Sequence, residues 1–163
     1  MVSCSLLNRR TDMKILSILA LLVAGPLFGG VISPDQRSAL MEKALEGQRN
    51  SYAPYSHYQV GAAVLTKSGK MYSGCNVENA SYGLVICAER TAVFKAVSEG
   101  EKDIEAIVIV TRDGGMACGG CRQVLNEFNP HMHVISIDQN RRVHHEQTLD
   151  QLLPHAFGPA NLE

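Results

Sequence analysis

The first strongly patterned stretch of the chain predicts an amphipathic helix. Ser33-Pro34-Asp35-Gln36 places serine at the N-cap, proline at the first helical position and glutamine where a capping box requires it. The apolar residues that follow recur every three to four positions and form one face: Leu40, Met41, Ala44 and Leu45. We expect this face to pack on a core.

A β-hairpin is predicted next. Tyr58 to Thr66 and Met71 to Val77 have the composition of strands, and Lys67-Ser68-Gly69-Lys70 is a suitable four-residue connection between them. We expect the hairpin to deliver Asn76 and Glu78 to one end of a sheet.

Helices and strands then alternate. Helical periodicity runs from Cys87 to Glu99, and a further helix should run from Cys118 to about Phe128, before Asn129-Pro130 stops it. Between these two helices, Ile104 to Val110 is a continuous apolar run, which indicates a strand buried on both faces.

The last part of the chain predicts a strand from His133 to Ile137 and a weaker edge strand from Arg142 to His145. A helix from Thr148 to Leu153, capped by Thr148, follows them. Helices alternating with strands predict an α/β fold, a three-layer α/β/α sandwich around a mixed five-stranded sheet. The crossover from Ile104 to His133 should make those two strands parallel neighbours.

Composition and charge narrow the partners. The chain has 163 residues, 45% of them apolar, and a formal net charge of -1, which suits one globular domain. A nucleic-acid partner is disfavoured because there is no basic excess to neutralise phosphates and no tryptophan, and aromatic residues make up only 6% of the chain. We therefore expect a small-molecule partner.

We expect residues 1–30 to be an appendage, either signal-like or a misassigned start, and residues 31–163 to be the functional domain. Residues 13–24 resemble a signal peptide, but the apolar run is too short to span a bilayer and no A-x-A cleavage site follows. Cys87, Cys118 and Cys121, which are candidate metal ligands, also fit a reducing compartment, where thiols stay unpaired. The expected location is the cytoplasm, with secretion as the alternative if residues 13–30 act as a signal peptide.

The candidate chemistry lies in two short stretches about thirty residues apart, Cys87-Ala88-Glu89-Arg90 and Ala117 to Gln123. In the second stretch, Cys118 and Cys121 form a C-x-x-C pair, which can hold one metal ion with two sulfurs. If Cys87 is the third ligand, one tetrahedral position stays open for water, as in catalytic zinc sites. Glu89 follows that ligand by two residues, within reach of a water proton.

Two other interpretations of the cysteines remain open at this point. A C-x-x-C pair is also found as a redox pair or as half of a structural zinc knuckle. A structural site needs four closed ligands, and Cys75 is the candidate for the fourth, since Cys4 lies in the expected appendage. The combination of C-x-E with C-x-x-C-R-Q favours catalysis.

Three further stretches carry a family resemblance: Tyr58–Ala63, Gly74–Tyr82 and Leu152–Pro159. With the cysteine motifs, they make the chain resemble the small, homotetrameric cytidine deaminases whose zinc ligands are all cysteine. The resemblance spans roughly Asp35 to Pro159. It implies zinc-dependent hydrolysis of cytidine and 2'-deoxycytidine to the uridines with release of ammonia, a reaction of pyrimidine salvage. It also implies the ligands and the catalytic proton carrier: Cys87, Cys118 and Cys121 for Zn²⁺, and Glu89.

The same resemblance implies a set of substrate contacts. Asn76 and Glu78 should hold the 3'-hydroxyl of the ribose. Phe157 should reach the pocket of a neighbouring subunit in a homotetramer and stack on the pyrimidine. The full expected set is Tyr58, Asn76, Val77, Glu78, Asn79, Ala80, Ser81, Tyr82 and Phe157.

The chain departs from the family pattern at two places. Met116-Ala117 stands where the family usually has Ser-Pro, and Tyr58 stands where phenylalanine is common, which adds a hydroxyl that needs a partner. Two rival functions follow from the same motifs. One is a deaminase of modified nucleosides or aminonucleoside antibiotics, and the other is a non-catalytic binding protein stabilised by zinc.

Overall fold

A computed structural model describes residues 32–162 of the chain. The expected appendage, the signal-like stretch and Cys4 lie outside the described residues. No helix among residues 32–162 is both long and apolar enough to cross a bilayer. The helices and strands are, in chain order, α1 Pro34–Arg49, β1 Gly61–Thr66, β2 Met71–Cys75, α2 Ala88–Ser98, β3 Ile104–Val110, α3 Gly119–Phe128, β4 His133–Ile137, β5 Val143–Thr148 and α4 Leu149–Leu152.

These elements form the predicted three-layer sandwich. The sheet has five strands in the order β2-β1-β3-β4-β5. The β3–β4 pair is parallel and the other three pairs are antiparallel, which confirms the mixed sheet and the parallel crossover. Leu40 and Ala44 of α1 pack on one face, and apolar side chains of α2 and α3 pack on the other. Burying both faces explains why β1 and β3 are almost continuously apolar.

The start of α1 confirms the capping prediction. The Ser33 hydroxyl oxygen accepts from the backbone N–H of Gln36 at 3.2 Å, and the Gln36 side-chain oxygen accepts from the N–H of Ser33 at 3.0 Å. This reciprocal pair satisfies two backbone donors that the helix itself leaves without partners.

The first strand begins later than predicted, at Gly61 rather than Tyr58. Asn76 is the reason. Its side-chain amide donates to the carbonyl oxygen of Tyr58 at 2.9 Å and accepts from the N–H of Val60 at 2.9 Å. These backbone groups therefore bond to a side chain instead of a neighbouring strand.

The edge strand β5 extends further than the predicted range of Arg142 to His145. It runs from Val143 to Thr148, and its side chains are almost all exposed. A strand that buries neither face has no need for alternating apolar residues, so hydrophobicity marks it poorly. Its last residue, Thr148, is also the N-cap of α4.

Gly74 brings β2 into backbone contact with α2. A Cβ atom at this position would lie 2.7 Å from the carbonyl oxygen of Ala88 and 2.9 Å from the carbonyl carbon of Thr91. Only glycine allows this approach without moving the helix. Because Cys87 is the N-cap of α2, the contact also determines where that cysteine lies relative to the sheet.

We predict that Gly74→Ala will lower the free energy of unfolding by roughly 1–3 kcal/mol, because the added methyl group must displace α2. Urea unfolding followed by circular dichroism measures the change. Gly83→Ala is the matched control, since a Cβ there meets no atom within 4 Å. The control should stay within about 1 kcal/mol of the parent. Equal destabilisation by the two substitutions would contradict the role given to the close contact.

Candidate active site

Two helix N-termini bring three cysteine sulfurs together. Cys87 is the N-cap of α2, Cys118 is the N-cap of α3, and Cys121 lies in the first turn of α3. Their Sγ atoms all lie within 4.8 Å of one another. The free N–H groups and the positive end of each helix dipole stabilise negative charge on these sulfurs.

The donor set fits zinc with an open position. Thiolate sulfur is a preferred zinc ligand, and three protein ligands leave room for water. Among residues 32–162, no fourth histidine, cysteine or carboxylate joins the three cysteines. Cys75, the candidate fourth ligand, instead donates its S–H to the carbonyl oxygen of Asn50 at 3.3 Å. The described residues therefore favour the catalytic over the structural arrangement.

Hydrogen bonds make one cysteine unusually acidic before a metal binds. Bonds from Cys121 and then Arg90 lower the pKa of Cys87 to about 5, against the opposing effect of burial. The pKa of Cys121 is raised, because Cys121 is the hydrogen-bond partner of that thiolate and is also buried. Hydrogen bonding within the cluster thus favours thiolate character at Cys87, the form in which cysteine binds zinc.

The two arginines of the motifs have different roles. Nη2 of Arg90 lies 3.7 Å from the Cys87 sulfur and 3.3 Å from the carbonyl oxygen of Val85, so its charge offsets the thiolate directly. Arg122 instead donates to the carbonyl oxygens of Ala117 and Leu152, each at 2.8 Å. Arg122 therefore holds the backbone just before Cys118 and links it to the end of α4.

Glu89 is a buried carboxyl group beside the sulfurs. It lies in the first turn of α2 and is only 4% exposed. Burial raises its pKa, its own backbone N–H opposes that effect, and the negative charge of Cys87 raises the pKa further. A carboxyl group whose pKa moves toward neutrality can both take up and return a proton.

A pocket of about 350 Å³ opens onto this group. Cys87, Glu89 and Cys118 line it, as do Ser56 and Glu78. Apolar side chains form much of the remaining lining: Val60, Val85, Ile86, Ile109 and Met116. None of the described side chains that line the pocket is lysine, arginine or histidine.

Three of the predicted substrate residues line the pocket, Tyr58, Asn76 and Glu78. Glu78 accepts hydrogen bonds from the N–H groups of Tyr55 at 2.9 Å and Ser56 at 3.2 Å, and from the Ser56 hydroxyl. These bonds, the hydroxyl bond first, lower the pKa of Glu78, so it carries a negative charge at neutral pH.

The other predicted substrate residues lie outside this pocket. Tyr82 is 71% exposed and packs edge-on against Tyr55, with ring centroids 5.8 Å apart. Both tyrosines line a neighbouring hollow that shares Ser56, Glu78 and Val85 with the pocket. Phe157 is 60% exposed and also lies outside the pocket of its own chain. The remaining ones line neither the pocket nor that hollow: Val77, Asn79, Ala80 and Ser81.

Sequence reasoning missed part of the pocket wall. Thr111, Gly115 and Met116 line it, and they connect the end of β3 to Cys118. Their position immediately before a metal-binding motif is a signal that could have identified them, because loops at the carboxyl ends of buried strands commonly form sites. Val85 and Ile86 precede Cys87 in the same way.

Comparisons with known proteins agree on one family. The model of the cytidine and deoxycytidylate deaminase zinc-binding region matches residues 34–137. A cytidine deaminase of Halalkalibacterium halodurans is 46% identical over 123 residues, which cover 74% of this chain and 93% of that protein. Two crystal structures are similar to this one. The cytidine deaminase from Burkholderia pseudomallei has 44% identity and a TM-score of 0.70, covering 74% of this chain and 98% of that one. The cytidine deaminase from Mycobacterium tuberculosis has 38% identity and a TM-score of 0.66, covering 75% and 97%.

We predict that Cys87→Ala, Cys118→Ala and Cys121→Ala will each lower the zinc content of the purified protein, because two sulfurs hold the ion more weakly than three. Elemental analysis by mass spectrometry measures the content. Cys75→Ala is the control and should retain the parent amount. A loss of zinc from the control as large as that from the other three would indicate a four-cysteine structural site.

Proposed function

We propose a function for this chain, which belongs to the cytidine and deoxycytidylate deaminase family. The protein is a zinc-dependent enzyme that hydrolyses cytidine and 2'-deoxycytidine to uridine and 2'-deoxyuridine with release of ammonia, a step of pyrimidine salvage. One observation carries the proposal: a buried carboxyl group, Glu89, lines together with Cys87 and Cys118 a pocket large enough for a small ligand. The three cysteines are proposed as the zinc ligands.

Zinc, when bound, supplies the Lewis acid that activates water for attack. Glu89 receives one proton of the water and delivers it to N3 of the pyrimidine as the water oxygen bonds to C4. Glu89 then moves the second proton from that oxygen to the amino group, the C4–N4 bond breaks, and ammonia leaves. N3 keeps its proton and C4 becomes a carbonyl, so the product is the uridine.

The charges of the pocket favour a nucleoside over a nucleotide. The family model covers deaminases of both cytidine and deoxycytidylate. A phosphate group needs a cationic or N–H-rich cradle, yet the described lining contains no cationic side chain and does contain the charged Glu78. Desolvating a phosphate beside that carboxylate is unfavourable. We therefore assign the uncharged nucleosides as substrates.

Glu78 is the better of the two candidates for the sugar end. One of its oxygens accepts two hydrogen bonds and the other accepts one, which leaves acceptor capacity for a ribose hydroxyl. Asn76 is largely engaged within the chain, since its oxygen accepts from the Ser51 hydroxyl at 2.5 Å and from the Val60 N–H. Asn76 contributes at most its remaining N–H to the 3'-hydroxyl and otherwise shapes the pocket.

The proposed enzyme is a homotetramer with shared pockets. The exposed Phe157 and the exposed rim residues Tyr82 and Leu84, each of the latter 71% exposed, are apolar surface for which a neighbouring subunit is the proposed cover. The carbonyl oxygen of Phe157 accepts from Gln123 at 2.8 Å and Asn126 at 3.3 Å, so the tail is held while its ring stays outside the pocket of its own chain. The ring then stacks on the pyrimidine of a neighbour.

The rest of the expected substrate surface keeps its place in the proposal as the rim of the assembled pocket: Val77, Asn79, Ala80, Ser81 and Tyr82. The proposed location is the cytoplasm, where reducing conditions keep the three thiols available for zinc. Residues 1–30 are proposed as an appendage to a catalytic domain of residues 31–163.

We predict that the purified protein will release ammonia from cytidine and 2'-deoxycytidine and will be much slower on their 5'-monophosphates. Glu89→Gln is the matched control, because it keeps size and polarity but cannot move protons. It should retain zinc and lose at least ~10²-fold in kcat. Spectroscopic loss of the cytosine chromophore measures the rates. Normal turnover by Glu89→Gln would refute the mechanism, and preference for a monophosphate or for a modified nucleoside would refute the substrate assignment.

We predict that Phe157→Ala will lower kcat/KM for cytidine by about tenfold, since stacking on a base contributes roughly 1–3 kcal/mol. Zinc content should not change. Coexpression of Phe157→Ala with Glu89→Gln should restore part of the activity, because mixed oligomers contain pockets with both residues intact. Light scattering establishes the oligomeric state. A fully active monomer, or no recovery despite proven mixing, would show that Phe157 serves its own chain.

A further inference from the structure

The hydroxyl group of Tyr58 has a partner across the pocket wall. It donates to Oδ1 of Asp113, and the guanidinium carbon of Arg112 lies 4.9 Å from the centroid of the Tyr58 ring. Tyr58 precedes β1, whereas Arg112 and Asp113 follow β3, so these contacts join two segments 55 residues apart. The aromatic side chain is thus tied to the loop that leads to Cys118.

The Tyr58–Asp113 hydrogen bond requires a protonated phenol and an ionised carboxylate, and the surroundings favour both states. Burial and then the neighbouring carboxylate raise the pKa of Tyr58, so the phenol keeps its proton. The hydrogen bonds from Tyr58 and Thr111 lower the pKa of Asp113, so the carboxylate stays charged at neutral pH. Hydrogen bonds to an ionised acceptor are stronger than bonds between neutral groups.

The same carboxylate organises the loop behind it. Oδ1 of Asp113 also accepts from the Thr111 hydroxyl at 3.0 Å, and the oxygen of that hydroxyl accepts from the N–H of Gly115 at 2.7 Å. One hydroxyl can donate once and accept twice, so both bonds form together. Tyr58, Thr111 and Gly115 all line the pocket, so the chain of bonds runs within its wall.

The opposite side of the loop is held by the sheet. The Ser136 hydroxyl of β4 donates to the carbonyl oxygen of Gly114 at 2.5 Å. Gly114 has a φ of +75°, and a Cβ there would lie 2.7 Å from the Cβ of His144 in β5. Contacts with the sheet therefore fix one side of the loop, and the Tyr58–Asp113 bond supports the side that faces the pocket.

We propose that Tyr58 and Asp113 are a positioning pair that holds residues 111–117 as one wall of the pocket and, through that loop, fixes the approach to Cys118. The pair acts through the loop and not by contact between the Tyr58 hydroxyl and the substrate. Its effect on kinetics rests on the proposed function. Its effects on loop order and on metal release do not.

The test compares Tyr58→Phe, which keeps the ring and removes the hydroxyl, with Asp113→Ala and the double variant. Each single variant should raise KM for cytidine by at least about tenfold, the effect of losing one hydrogen bond to a charged group, with kcat within about twofold of the parent. Each should also speed the transfer of zinc to a chromogenic chelator and speed amide hydrogen exchange in residues 111–117. The double variant should match Asp113→Ala, because that substitution already removes the bond from Tyr58 together with the bond from Thr111.

Tyr72→Phe is the matched control. It removes a tyrosine hydroxyl that also neighbours a carboxylate, Glu99, but lies in β2 outside the pocket. It should change neither KM, zinc release nor exchange of the loop. The proposal would be wrong if the effects of Tyr58→Phe and Asp113→Ala were additive, or if Tyr58→Phe had an effect and Asp113→Ala had none. In either case the hydroxyl would act on the substrate directly.

The positioning pair and the proposed function can fail independently of each other. If the parent protein does not deaminate cytidine but both variants loosen residues 111–117 and release zinc faster, the pair stands and the proposed function fails. If the parent is active and both variants match it in KM, zinc release and exchange, the pair is wrong and the proposed function stands.

Discussion

The convergence of two helix N-termini on three thiolates is the constraint on which the rest of the structure depends. Three thiolates carry one more negative charge than a divalent zinc ion neutralises. The N-termini of α2 and α3, together with the guanidinium of Arg90, supply the compensating positive charge. Both helices must therefore begin at the same place. Gly74 beneath α2 and the bonds from Arg122 to Ala117 and Leu152 are means by which the sandwich meets this requirement.

The pocket contains two carboxyl groups that the fold shifts in opposite directions. Glu89 is buried at the start of a helix, so desolvation favours its neutral form. Glu78 is only partly buried and receives bonds from a hydroxyl and two backbone N–H groups, so its charged form is favoured. One residue type thus serves the proposed mechanism in two ways, as a proton carrier at Glu89 and as a charged hydrogen-bond acceptor at Glu78. The difference comes entirely from environment.

Local patterns predicted the layers and the clustering of the three cysteines, because periodicity, caps and cysteine spacing are properties of short stretches of sequence. The features that sequence reasoning missed depend on partners far away in the chain. The start of β1 is set by the amide of Asn76, and β5 pairs with β4 while burying almost none of its side chains. The Tyr58 hydroxyl was expected to need a partner, but Asp113 could be identified only once the fold had brought the two together.

The C-terminal tail is held through its main chain, which leaves the side chain at position 157 free to vary. The side-chain amides of Gln123 and Asn126 donate hydrogen bonds to the carbonyl oxygen of Phe157. The Phe157 side chain lies outside the pocket of its own chain. The folding of a subunit is therefore largely indifferent to which side chain stands at that position. In the proposed assembly, where this ring stacks on the base bound by a neighbour, the side chain at position 157 can be exchanged without redesigning the scaffold. Selectivity for the base could then change independently of stability.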